Sequence, residues 1–202
     1  MPPVRVKKED IIKGTIKFIK TNGIEELSAR NLAKSIKCST QPLFKQFENM
    51  DDLKNQVFND VNKLHKSILD KGKDNHEIPF IGIGLAYINF AKKEPNLFRF
   101  LFLSNNSKCN NILDMVDSNE GKEYIELITK TTGIPKELSK QLYINIWLII
   151  HGIACMSTTN KNKISESECE TILVDAFKGY RQVLMNKALN SAHLNKKWKK
   201  KN

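Results

Sequence analysis

Residues 139–156 read SKQLYINIWLIIHGIACM, a stretch that is apolar on nearly every side when wound as a helix. A helix with no polar face must be covered on several sides at once, by its own domain or by a second chain. Further helices are the natural cover, because sheet signals are weak. No sustained alternation of apolar and polar residues occurs, and no Asn-Gly or Asp-Gly pair joins two alternating runs. Nor does any apolar run approach the roughly 18–20 residues that span a bilayer. An all-α chain follows.

Helical periodicity recurs along the sequence. Residues 8–21 place Ile11, Ile12, Thr15, Ile16, Phe18 and Ile19 on one broad face, and Asn22-Gly23 supplies the stop. Ser28 opens SARNLAKSI as an N-cap, with Leu32, Ala33 and Ile36 as the apolar face. Ser39 is placed to cap TQPLFKQF, which Leu43, Phe44 and Phe47 would anchor. Asn49 caps a longer helix over 50–71, with Asp51 and Asp52 suiting its dipole and Leu53, Val57, Val61, Leu64 and Ile68 as its stripe. After the polar KGKDNHE loop, helices are expected at 80–93, 95–103, 120–132, 136–159 and 166–190, with an Asn/Ser-rich link at 104–111. The end, HLNKKWKKKN, reads as a disordered tail.

Charge divides the chain in three. Residues 1–55 hold eleven Lys/Arg against seven Asp/Glu, 56–186 are nearly neutral, and 187–202 hold six lysines and no acid. A basic head and tail around a neutral body suit a nucleic-acid contact joined to a part that makes none. In the head, Ser28–Phe47 forms two short helical stretches with a tight turn near Lys37-Cys38, the spacing of a helix-turn-helix. Its second helix would turn Thr40, Gln41, Lys45 and Gln46 outward. Gln can pair bidentately with adenine, Lys can donate to guanine, and the Thr methyl can meet that of thymine. Ser28 and Arg30 stand where phosphates would lie.

The segment IIKGTIKFIKTNGIEELSARNLAKSIKCSTQPLFKQFENMDDL resembles the DNA-binding domain of the tetracycline-repressor (TetR) family. The likeness lies in the first-helix face, Gly23, the Ser28 cap, Leu32-Ala33, Ser39, the Leu43/Phe47 spacing and Leu53, over about the first 60 residues. It implies an N-terminal three-helix helix-turn-helix domain (1–65, motif 28–47), a helical effector-binding and dimerisation domain (66–190), and the basic tail (191–202). Three positions depart from the family pattern. Lys37 replaces a turn glycine, at roughly 1 kcal/mol if its backbone is left-handed. Phe44 replaces a tyrosine, and Met50 a lysine for which Lys54 would substitute.

The resemblance also implies a homodimer on a palindromic operator, paired through the last two long helices, and release by a small-molecule effector. Trp147, His151 and Gly152 form W-x-x-x-H-G, similar to one branch of the family's C-terminal domains. With Tyr87, Phe90, Phe98 and Phe102 they are the candidate effector-binding residues, although aromatic residues at this spacing commonly form core. Ile144, Trp147, Leu148 and Ile149, with Leu173, Val174, Phe177, Val183 and Leu184, are the expected dimer stripes. Catalysis has little support: the four histidines form no H-x-x-x-H, and there is no phosphate-binding loop or Ser/His/Asp pattern. No cofactor or metal is expected. Scattered cysteines without C-x-x-C, and no visible secretory signal, suggest the cytoplasm. The rival is a helical protein-interaction module, or one that binds nucleic acid non-specifically through its tail.

Overall fold

The computed structural model describes residues 6–104, 112–159 and 164–199. Among them every regular element is a helix: α1 (Lys8–Asn22), α2 (Ala29–Ser35), α3 (Gln41–Gln46), α4 (Met50–Lys73), α5 (Pro79–Lys93), α6 (Pro95–Phe102), α7 (Ile112–Asp117), α8 (Asn119–Thr132), α9 (Lys136–Ser157) and α10 (Glu166–Lys199). The chain is all-α. None of the described helices is long and apolar enough to cross a membrane.

Local chemistry sets many of the boundaries. The Ser28 hydroxyl accepts from the Asn31 N–H at 3.2 Å, and Ser118 accepts from the Gly121 N–H at 2.9 Å. Asn49 Oδ1 accepts from both Asp51 and Asp52 N–H at 2.9 Å, satisfying two orphan donors at the start of α4. Gly133, at φ 69°, closes α8 in the left-handed conformation that costs glycine nothing.

The apolar core is continuous through both halves of the chain. α5 lies at its centre, packed on α4, α9, α10, α6 and α8. Between α4 and α5 the backbones nearly touch: a Cβ on Gly72 would stand 2.7 Å from the Gly82 carbonyl oxygen. Gly84 leaves room on the other side for Ile150 and Leu173. Phe80 sits between Tyr124, Tyr143 and Phe177, tying α5 to α8, α9 and α10. The N-terminal helices are fixed to this body through α1, which packs on α4 and α6. The Asn96 amide donates to the Lys20 carbonyl at 2.9 Å, and Lys20 pairs with Glu94.

Several expectations change. The boundary placed at 65/66 falls inside α4, whose apolar stripe continues to Leu69. Part of the polar loop is also helix, because α4 runs to Lys73 before Asp74 ends it. α7 is an additional short helix, and the link at 105–111 lies outside the described residues. α10 continues to Lys199 where a disordered tail was expected. From Arg181 to Lys199 there is no Gly or Pro to break its backbone ladder.

The expected dimer stripes divide by burial. Leu173, Phe177 and Leu184 are buried within the protomer, while Leu148 and Val183 are each half exposed. Val174, Ile144, Trp147 and Ile149 are partly covered by the core. α9 is thus covered on most sides by its own chain, but not on all.

Candidate functional site

Two places gather the chemistry anticipated from the sequence. The first is α2, α3 and the turn between them. Ile36 ends α2, the Lys37 N–H reaches the Lys34 carbonyl at 3.3 Å, and the Cys38 N–H reaches the Ala33 carbonyl at 2.9 Å. That pair of bonds is a Schellman closure, which requires a left-handed residue at its centre. Lys37 takes the role at φ 57°, the only positive-φ residue other than glycine among the described residues. The strain expected of a lysine in that place is present.

Leu43 and Phe47, four apart and so on one face, anchor α3 in the core. Lys8 places its ammonium 5.2 Å from the centre of the Phe47 ring, a cation–π contact from α1. Phe44, expected to be a third anchor, lies about 100° round the helix from Leu43 and is 50% exposed. Ser39 does not cap α3. Thr40 is the N-cap with an already helical backbone and no side-chain cap bond, and Pro42 in the first turn has no N–H to satisfy.

Ser28, Arg30, Ser39, Thr40, Gln41, Lys45 and Gln46 are all exposed. Lys54 is less available, since its ammonium lies 3.1 Å from Asp51 on the same helix. Beside the packed helices α1, α2 and α4 stands a short helix whose outer face is polar and basic, with one bare aromatic ring.

The second place is an aromatic cluster in the body. The structure brings together Tyr87 and Phe90 of α5, Phe98 and Phe102 of α6, and Trp147 and His151 of α9. Tyr87 packs on Phe98 at 5.4 Å and Phe102 at 5.2 Å, while Trp147 stacks on His151 at 4.7 Å and 8°. Tyr87 Oη lies 2.9 Å from His151 Nδ1, and His151 Nε2 lies 3.4 Å from Cys155 Sγ. A neutral imidazole satisfies both contacts, one nitrogen donating and the other accepting. Burial keeps His151 neutral by pushing its pKa down, and it raises that of the Cys155 thiol.

His65 of α4 completes the cluster and was not anticipated. Its ring meets Tyr87, Phe90 and Phe102 edge-on at 5.3, 4.9 and 5.1 Å. Its Nε2 is buried with no hydrogen-bond partner among the described residues, and burial lowers its pKa to about 4. The one signal for it is position: His65 follows Val57 and Val61 at helical spacing and precedes Leu69. Beside the cluster, an open groove of about 460 Å³ runs between α4 and α5, lined by Ile68, Lys71, Asn89, Phe90, Lys93 and Glu166 among others. Of the six candidate effector residues, Phe90 alone lines it; Tyr87, Phe90 and Phe98 are buried in packed core.

No group of three or more His, Cys, Asp or Glu is arranged to hold a metal ion among the described residues. No protein-family model matches the chain, and no curated protein matches it.

Proposed function

We propose that this chain is a cytoplasmic, dimeric, DNA-binding transcriptional regulator of the TetR type, a repressor released by a small-molecule effector. The observation that carries this reading is the α2–turn–α3 unit. A Schellman turn and two buried anchors fix a six-residue helix so that Thr40, Gln41, Lys45 and Gln46 face outward together. All four suit base edges or phosphates.

Dimerisation is part of the proposal because a single short helix makes only a small contact, and two half-sites read together supply the rest. Supporting it, α9 exposes Leu148, Gly152 and Met156 at four-residue spacing, and α10 exposes Ile172, Gly179, Tyr180 and Val183. Among the described residues nothing stands within 4 Å of where a Cβ would lie on Gly152 or Gly179, which leaves room for a partner backbone. An effector would act through α4, which carries His65 in its C-terminal half and begins at Met50, just after α3 ends. To weaken DNA binding it must favour the DNA-incompetent state by the free energy it removes from the operator complex.

The test is selection of bound fragments from a random DNA pool, followed by titration of the enriched site. A palindromic site should emerge, and Gln41→Ala or Lys45→Ala should each cost about 1–3 kcal/mol on it while relaxing preference at particular base pairs. Removing residues 194–202 should flatten the salt dependence of non-specific binding yet leave most site preference. No enrichment, with binding abolished by that truncation, would instead mark a non-specific nucleic-acid module.

A further inference from the structure

We propose that Phe44 reads the methyl group of a thymine, making it a specificity-determining residue of the DNA contact; this rests on the function proposed above. Phe44 is 50% exposed, whereas its neighbours Leu43 and Phe47 are 0% and 3% exposed. Within Val6–Lys73 only one other large apolar side chain, Leu64, is exposed to a similar degree. Leu64 lies eleven positions into the body of α4 from Leu53, far along the helix from the polar set on α3. Phe44 instead lies within that set. Gln41 is three residues before it and so one turn away on the same side, and Lys45 and Gln46 follow directly.

An aromatic ring in the middle of a polar, basic helix face fits the chemistry of the major groove. Each A·T pair presents one apolar group there, the thymine 5-methyl, beside the acceptor and donor edges that Gln and Lys can read. A phenylalanine has no hydroxyl to offer a phosphate, so its gain on binding is the burial of ring and methyl against each other. The arrangement thus predicts a thymine at one position of each half-site, next to the base pair read by Gln41.

The full-length protein is titrated on its selected operator with deoxyuridine replacing thymidine one position at a time, which removes only the methyl. At one position per half-site the substitution should weaken wild-type binding about three- to fivefold. Phe44→Ala should lose a similar factor on the thymine operator and show no further loss on the deoxyuridine one. Phe44→Tyr, which keeps the ring, should retain the methyl dependence. Because the side chain is half exposed, these variants should keep the wild-type circular dichroism and melting temperature. A selective operator on which no deoxyuridine changes affinity overturns the assignment of Phe44 while leaving the regulator intact. Equal methyl dependence in Phe44→Ala overturns it too, since another side chain then reads the methyl. If the pool yields no selective site, both fall together.

Discussion

Replacing His65 by Leu should change how the stability of this protein depends on acid more than its stability at neutral pH. The ring is buried against Tyr87, Phe90 and Phe102 with Nε2 unpartnered. At pH 7 two effects oppose each other. Leucine removes an unsatisfied buried polar atom, worth about 1–3 kcal/mol, but forfeits edge-to-face contacts of about 0.5–1.5 kcal/mol each. With three such contacts, the net is a loss of about 1 kcal/mol.

Acid separates the two proteins. Burial holds the His65 pKa at about 4, against 6.5 for an ordinary imidazole. The unfolded chain therefore takes up a proton between those values that the folded chain refuses, and stability falls as pH drops through that window. Over the window the loss from this one group is about 3 kcal/mol. Leucine has no such proton, so urea unfolding followed at 222 nm from pH 7 to pH 4 should show the variant gaining about that much relative to wild type. His151, shifted in the same direction, adds to the slope of both proteins and cancels in the difference. Parallel stability curves would refute the reasoning, because His65 would then be protonated in the fold or hydrated.

Lys37→Gly should raise stability: relief of left-handed strain of about 1–2 kcal/mol outweighs the extra freedom glycine gives the unfolded chain, about 0.4–1 kcal/mol. Calorimetry should show a rise of about 1–3 °C in Tm, and an unchanged Tm would mean that Lys37 does not hold φ 57°. Gly82→Ala should do the opposite, because its methyl would collide with the Gly72 backbone rather than with a movable side chain; a cost of about 3 kcal/mol or more is expected from overpacking, read as a lowered urea midpoint. For the dimer, Leu148→Glu and Val183→Glu place charge on half-exposed positions and should yield folded monomers in sedimentation with operator affinity lost. A wild type that is monomeric at micromolar concentration yet binds an operator tightly would count against the interface.

Much of the helical order was legible because caps and punctuation lie next to what they control. Gly23, Ser28 and Asn49 act within a few residues of themselves, and the structure uses each of them at a helix end. The turn strain at Lys37 was legible for the same reason. What did not read through was burial where two outcomes share one pattern. Leu43, Phe44 and Phe47 are equally apolar on paper, yet only two lie on the face that α3 turns inward. His65 was passed over because an imidazole on an apolar stripe looks polar until three rings from α5 and α6 close around it. Ser39 looked like a cap because the rule takes no account of a neighbour whose backbone is already helical.

The C-terminal half shows the same limit with larger consequence. A stripe of Leu, Val and Phe on α10 says that something apolar must cover it, but not whether the cover comes from α5 and α9 or from a second chain. Leu173 and Phe177 are taken up by the protomer, Leu173 beside Gly84 and Phe177 beside Phe80, so charges at those positions would test the core. The side chains left uncovered, Leu148, Met156, Ile172, Tyr180 and Val183, are spread along both helices rather than scattered singly. The two helices pack on each other, and each leaves large apolar side chains exposed, the kind of surface a partner chain covers. Among the described residues nothing lies within 4 Å of a Cβ built on Gly152 of α9 or Gly179 of α10, so a facing helix could approach either one closely. The case for an interface therefore rests on what the protomer leaves uncovered, and the residues that test it differ from those the sequence pattern alone would select.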